Sequence, residues 1–229
     1  MKKILILSFC LILTACTPNE AAFKSRVPVS QPSVPVTADA LPESVNLSVP
    51  FYPQAPDADW SLPWQEACEE ASVVLAYYGA TGQSITRDEF REELLKIIDW
   101  EMKNLGHYEH TNAVETARIL KDYYGYTNFE ILENPSIDDL KDRLAQGRLI
   151  IAPFAGRELG NPFYSGIGPL YHMMVIRGYD DEHFITNDVG TKRGANFVYP
   201  YKRLLNAMHE WHDEDIDLGA KNVIVLQGT

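Results

Sequence analysis

The feature that most restricts how this chain can fold is a change of hydrophobic pattern at Gly147. Before it, apolar residues recur at helical spacing; after it, they come in short blocks bounded by turn residues. The stretch from Ala67 to Tyr78 predicts a helix stopped by Gly79. Thr86-Arg87-Asp88-Glu89 is a capping box, and Phe90, Leu94, Ile97 and Ile98 follow it at 3.6-residue spacing. A third helix is expected from Asn112 to Tyr124, ending at Gly125, and a fourth from Ser136 to Gln146, with Ser136 as its N-cap. Beyond Gly147, Arg148 to Phe154, Tyr171 to Arg177, His183 to Asn187 and Asn222 to Leu226 read as strands. Helices first and strands second, with a tight hairpin among them, predict an α+β domain: an N-terminal helical part packed on a C-terminal antiparallel sheet. Ahead of the first helix, Ser48 to Gln54 reads as an extended segment that its prolines confine to an edge, followed by a polar, aromatic loop from Ala55 to Gln65.

The N-terminus points to export. Lys2 and Lys3 precede an apolar run, Ile4 to Leu13, that is too short to span a bilayer and reads as a secretory leader. Leu13-Thr14-Ala15-Cys16 resembles the bacterial lipobox, in which cleavage exposes a cysteine that then carries lipid. The resemblance implies a signal peptide over residues 1–15 and a lipidated mature N-terminus at Cys16. Thr17 in place of Asp favours an outer-membrane destination in a cell with two membranes. Residues 16–47 are rich in Pro, Ser, Ala and Val without periodicity, the composition of an extended tether. The expected location is the bacterial cell envelope, with acyl chains as the only hold on the membrane. Residues 48–229 suffice for one domain with a full core. The formal charge is −12, and losing Lys2 and Lys3 makes it more negative still. With no basic run, this acidity argues against nucleic-acid binding and against recruitment to anionic lipid by charge.

Three cysteines are present; Cys10 leaves with the leader, Cys16 is spent on lipid, and Cys68 alone remains. A thiol outside the cytoplasm with no partner in its own chain is a buried hydrophobe, an oxidised side chain, or a group kept for its chemistry. Cys68 stands where a helix begins, and free N–H groups and the helix dipole favour thiolate there. Glu69 and Glu70 work against that, so ionisation needs a cationic imidazole, which can bring a thiol from about 8.5 down to roughly 3–4. His172 is the candidate: it opens an apolar strand, where an imidazole has no packing advantage. A hairpin folded about position 180 sets His172 opposite residue 188 or 189, within cross-strand reach of Asp188. That carboxylate would fix the tautomer and stabilise imidazolium. Asn187 is the competitor, but alternation turns it to the other face.

Several short motifs carry a more specific resemblance. Val49-Pro50-Phe51-Tyr52-Pro53-Gln54, then Ala67-Cys68-Glu69-Glu70-Ala71-Ser72, then Tyr77-Tyr78-Gly79 resemble the start of a bacteriocin-processing-type cysteine peptidase domain. Leu140 to Pro153, His172 to Gly178 and Ile185 to Asp188 match its second half, so the likeness covers most of 48–190. Such domains have the papain-like cysteine proteinase fold, and their best-known members cut leader peptides after a double glycine. The resemblance implies Cys68 as nucleophile, His172 as base and Asp188 as orienting acid. It also implies Gln54, with the Cys68 backbone N–H, as oxyanion donor, Gln65 being the rival. A peptide or protein substrate and no cofactor follow from it. The chain departs from the family in two places: Glu69-Glu70 replaces a small pair after the cysteine, and the insert Ala55–Trp64 should loop over the cleft.

Other clusters carry less. His107-x-x-His110 and His209-x-x-His212, with Asp213, Glu214 and Asp215, lack a third ligand at a defined offset and read as solvated surface rather than metal sites. The glycine-rich stretch from Gly156 to Pro169 precedes His172 and suits a mobile cleft wall. The function read from the residues is an exported thiol hydrolase of peptide or amide bonds. The alternatives are a tethered binding module with a relic triad, and acyl transfer to an amine.

Overall fold

A computed structural model describes residues 41–213 and 215–228; the leader, Cys16 and most of the tether lie outside the described residues. Within them the chain runs β1 (Val45–Asn46), α1 (Cys68–Thr81), α2 (Arg87–Asn104), α3 (Ala113–Arg118), β2 (Phe129–Glu133) and α4 (Ile137–Ala145). It continues through β3 (Leu149–Ala155), α5 (Gly156–Leu159), β4 (Tyr171–Tyr179), β5 (His183–Asn187), β6 (Phe197–Pro200), α6 (Tyr201–Ala207) and β7 (Asn222–Leu226). A π-helical turn, Ile119–Tyr123, extends α3. The strands form one antiparallel sheet in the order β2-β7-β3-β4-β5-β6, and β1 pairs with the far end of β4.

The helix starts follow the capping chemistry of the sequence. Thr86, Asn112 and Ser136 each cap a helix in a reciprocal capping box. Phe90, Leu94, Ile97 and Ile98 all face the core, as their spacing requires. One helix end differs from expectation: α1 runs through Gly79 and stops at Gly82, whose φ of +66° makes the left-handed cap. Gly79 serves packing instead, since a Cβ there would stand 2.8 Å from Leu149 Cδ1 on β3.

The sheet is buried on both faces, and strand alternation sorts its residues between two cores. Ile151, Met173, Val175, Ile224 and Leu226 pack with Val73, Leu94 and Leu120 on the side of α1 and α2. Ile150, Phe154, Met174, Ile176 and Val225 pack with Leu140, Leu144 and Leu204 on the side of α4 and α6. The expectation of α+β with an antiparallel sheet therefore holds, but helices cover both faces rather than one. Chain pattern hid this, because β2 lies inside the helical half and α6 inside the strand half. Val45 and Asn46, read as tether, belong to the sheet, and Gly178 makes that pairing possible: a Cβ on it would lie 2.1 Å from the Val45 carbonyl oxygen.

Candidate active site

Cys68 opens α1, so its N–H belongs to the first turn, where backbone donors lack helical partners. One turn on, Ser72 Oγ donates to the Met173 carbonyl at 3.0 Å and seats the start of α1 on β4. His172 lies beside Met173 on β4 and pairs across to Phe154 on β3. Cys68 and His172 both line a cleft of about 700 Å³. The Ala55–Trp64 insert contributes Ala55, Ala58 and Trp60 to its lining, and the glycine-rich segment contributes Arg157, Phe163 and Tyr164.

The His172–Asp188 contact is direct: Nε2 lies 2.8 Å from Asp188 Oδ1, with both side chains buried. The pairing differs in register from a plain hairpin. Val175 pairs with Asn187, and the ladder slips between Ile176 and Gly178. Beyond Asn187 the chain leaves β5, and the Asp188 N–H donates to the Gly194 carbonyl. Asp188 thus reaches His172 by turning back from the end of the strand, not from a position directly opposite. Asn187 faces elsewhere, accepting from Arg177 Nη1 at 3.2 Å and donating to the Pro50 carbonyl at 3.0 Å.

Asp188 is the most heavily hydrogen-bonded side chain of the site. Oδ1 accepts from His172 and the Gly190 N–H; Oδ2 accepts from Tyr199 Oη at 2.6 Å, Tyr164 Oη at 2.7 Å and Asn161 Nδ2 at 2.9 Å. Burial alone would raise its pKa, but the His172 charge and the hydrogen bonds from His172, Tyr199 and Tyr164 outweigh burial and hold it at about 2. An ionised acceptor requires the Nε2 proton on the histidine, which leaves Nδ1 as the free base. Asn161 and Tyr164 lie in the glycine-rich stretch expected to form a cleft wall, but the role of these two and of Tyr199 as donors to Asp188 is new from the structure. Nothing in their spacing marks them, since they converge on Asp188 from two separate segments, the loop before β4 and strand β6.

The cysteine side is arranged in the opposite way. Sγ donates to Glu69 Oε2 at 2.9 Å, and among the described residues no hydrogen bond joins it to the His172 ring. Burial first, then the charge of Glu69 and the hydrogen bond to it, push the Cys68 thiol well above its ordinary range. Glu69 accepts the Thr111 N–H through Oε1, whereas both oxygens of Glu70 and both of Glu101 find no N–H or hydroxyl donor. Glu70 and Glu101 face each other, an arrangement that holds when they share a proton. Burial raises both, Glu101 to about 8.

Gln54 also reaches the cleft, anchored by its backbone N–H on the Val189 carbonyl. Its Nε2 donates to the Trp64 and Gln65 carbonyls at 3.0 and 2.9 Å, and the atom left without a partner is the acceptor Oε1. As arranged, both amide hydrogens are engaged and neither faces an oxyanion position. Gln65 lines the same cleft but is exposed and donates to Glu66. His107, His110 and His212 come together around a second cavity, where His110 stacks on Trp211 with ring centroids 4.0 Å apart. Among the described residues, no three His, Cys, Asp or Glu side chains are placed to hold a metal ion.

A cysteine at the first position of a helix, set beside a buried His–Asp pair on an antiparallel sheet, defines a class: the papain-like cysteine peptidases. The chain belongs to the Peptidase_C39 like family, whose sequence model matches residues 46–213. Among solved structures it is similar to a protein described as a C39-like peptidase from Bacillus anthracis, with 16% identity and a TM-score of 0.56. That match covers 82% of this chain and 99% of the other. Xylellain, a cysteine protease from Xylella fastidiosa, matches at 17% identity and a TM-score of 0.45, over 83% of this chain and 87% of its own. The Carica candamarcensis cysteine protease CMS1MS2, solved with E-64, matches at 12% identity and a TM-score of 0.48, over 82% and 100%. No curated protein matches the sequence.

Proposed function

We propose that this cysteine peptidase hydrolyses peptide or amide bonds through Cys68, His172 and Asp188. The observation that carries the reading is the 2.8 Å contact between His172 and an ionised, fully buried Asp188 in the cleft that Cys68 also lines. His172 Nδ1 takes the thiol proton, and the thiolate attacks the carbonyl to give an acyl-enzyme. The imidazolium then protonates the leaving amine, and water, activated by the same nitrogen, releases the acid. Asp188 keeps the proton on Nε2 throughout and steadies the imidazolium. The Cys68 N–H, free at the start of α1, meets the developing oxyanion. Gln54 joins it once one of its amide hydrogens leaves the carbonyls of Trp64 and Gln65. The test is hydrolysis of a peptide library by the purified chain and by Cys68→Ala and His172→Ala. Turnover should vanish in both variants; turnover that persists in folded Cys68→Ala removes the cysteine from the reaction.

The domain works outside the cytoplasm, tethered through lipid on Cys16. Support comes from the lipobox-like Leu13–Cys16 and from Cys68 being the sole thiol outside the leader and lipobox. Metabolic labelling with palmitate should mark the protein and fail in Cys16→Ser. A second reading, a surface-tethered binding module with little turnover, draws on the Cys68–Glu69 contact. It requires Cys68→Ser to retain every cellular effect of the wild type.

A further inference from the structure

A thiol carries one hydrogen, so Cys68 can donate to Glu69 or to His172 but not to both. In this structure it donates to Glu69. The acceptor is held firmly: Glu69 is 1% exposed, and its second oxygen takes the backbone N–H of Thr111 at 3.1 Å. Thr111 is fixed in turn, its side chain hydrogen-bonded to Thr116 and its carbonyl accepting Tyr171 Oη, each at 2.8 Å. Tyr171 is the residue before His172, so one chain of contacts runs from the acceptor of the thiol back to the base.

We propose that Glu69 is a positioning residue that keeps the Cys68 thiol protonated and off His172 in the free protein, so that the nucleophile is latent until the thiol leaves the carboxylate. The inference rests on Cys68 being the nucleophile. The surroundings agree with it. Glu69 and Glu70 of α1 act on the sulfur itself, Glu66 from the turn before α1 and Glu101 from α2 act with Glu69, and Glu210 from the segment before β7 acts on Tyr171. Against these stand Tyr171 and His172 of β4 and the imidazole of His110, which line the cleft with Cys68. A thiolate left beside Glu69 would sit among carboxyls, while one turned toward His172 would meet an imidazolium. On release, the side chain rotates and its proton passes to His172 Nδ1. Thiol and imidazole become thiolate and imidazolium, the Nε2 proton stays on His172 and is donated to Asp188, and Glu69 keeps its contact to Thr111.

The experiment measures iodoacetamide incorporation at Cys68 against pH, read from the mass of the Cys68 peptide, in the full chain and in Glu69→Gln. In the wild type, alkylation should accelerate only above the ordinary thiol value of about 8.5. Burial and the neighbouring Glu70 push the Glu69 carboxyl itself up, and glutamine keeps the volume and the Thr111 contact while removing the carboxyl oxygen that takes the thiol hydrogen. Its profile should move down by about one unit or more, a roughly tenfold gain in rate at pH 7. A wild-type profile that already rises near pH 4, as a thiolate–imidazolium pair gives, overturns the proposal. So does an unchanged profile in Glu69→Gln. If that variant does not fold, the wild-type profile decides alone. Hydrolysis plays no part in this readout, so absence of turnover strikes the peptidase reading, whereas the alkylation profiles alone decide whether Glu69 holds the Cys68 thiol.

Discussion

Asp188 and the Glu70–Glu101 pair are fully buried carboxyls of the same chain, and they are treated in opposite ways. Asp188 receives five hydrogen bonds and is held at about 2. Glu70 and Glu101 receive none from N–H or hydroxyl donors, and Glu101 is raised to about 8. Burial disfavours charge at both places; at Asp188 the His172 charge and the donors outweigh it, and at Glu70 and Glu101 neither such a charge nor an N–H or hydroxyl donor is present. One region therefore supplies a permanent anion that directs the histidine, and the other stores a proton. Cys68 in this structure donates to Glu69, the residue before Glu70.

The two regions also act on stability in opposite pH windows. Asp188 binds its proton less readily folded than unfolded, so its contribution is complete above about 4 and is lost as pH falls through about 2. Glu101 binds its proton more readily folded. Its contribution is full below its usual 4.5 and is lost as pH rises toward about 8.

The largest effect is expected from Asp188→Asn. In either orientation the new amide sets an NH2 against donors: three at the Oδ2 position, or His172 and Gly190 at the Oδ1 position. The variant should lose about 3–5 kcal/mol in urea unfolding at pH 7 and nearly all turnover; an unchanged midpoint would break the contrast. Next comes Glu101→Gln, which removes a proton store without leaving a charge. It should gain on the order of 1–3 kcal/mol at pH 8 and little at pH 4.5, checked by unfolding at the two pH values. A loss of stability at pH 8 would show that the pair is ionised and paired in some other way. The smallest effect belongs to Tyr199→Phe, which removes one of the five donors to Asp188. It should cost about 1 kcal/mol and shift the acid limb of the stability profile upward by about half a unit. No shift would mean that the remaining four donors set the Asp188 charge on their own.

The sequence by itself determined the elements whose cause is local. Capping boxes at Thr86, Asn112 and Ser136, the apolar stripe of α2 and the bounds of β5 and β7 are all legible from a few neighbouring residues. The Cys68, His172 and Asp188 positions were legible as residue types in a chain order that resembles a known peptidase family. Tertiary structure decided the role of Gly79, which packs on Leu149 inside α1 and leaves the left-handed cap to Gly82. It alone decided that β2 joins the sheet, paired to the distant β7, and that helices cover both of its faces, since strand partners distant in sequence leave no local mark. Above all it decided the protonation of the site. Glu69 and Glu70 were visible beside Cys68 from the start as opposing charges. Whether each carboxyl keeps or sheds its charge depends on the donors that other segments bring: Thr111 to Glu69, Asn161, Tyr164 and Tyr199 to Asp188, and no N–H or hydroxyl to Glu70. Those donors are assembled only when the chain folds, because a hydrogen bond acts over a few ångströms of space and takes no account of distance along the sequence.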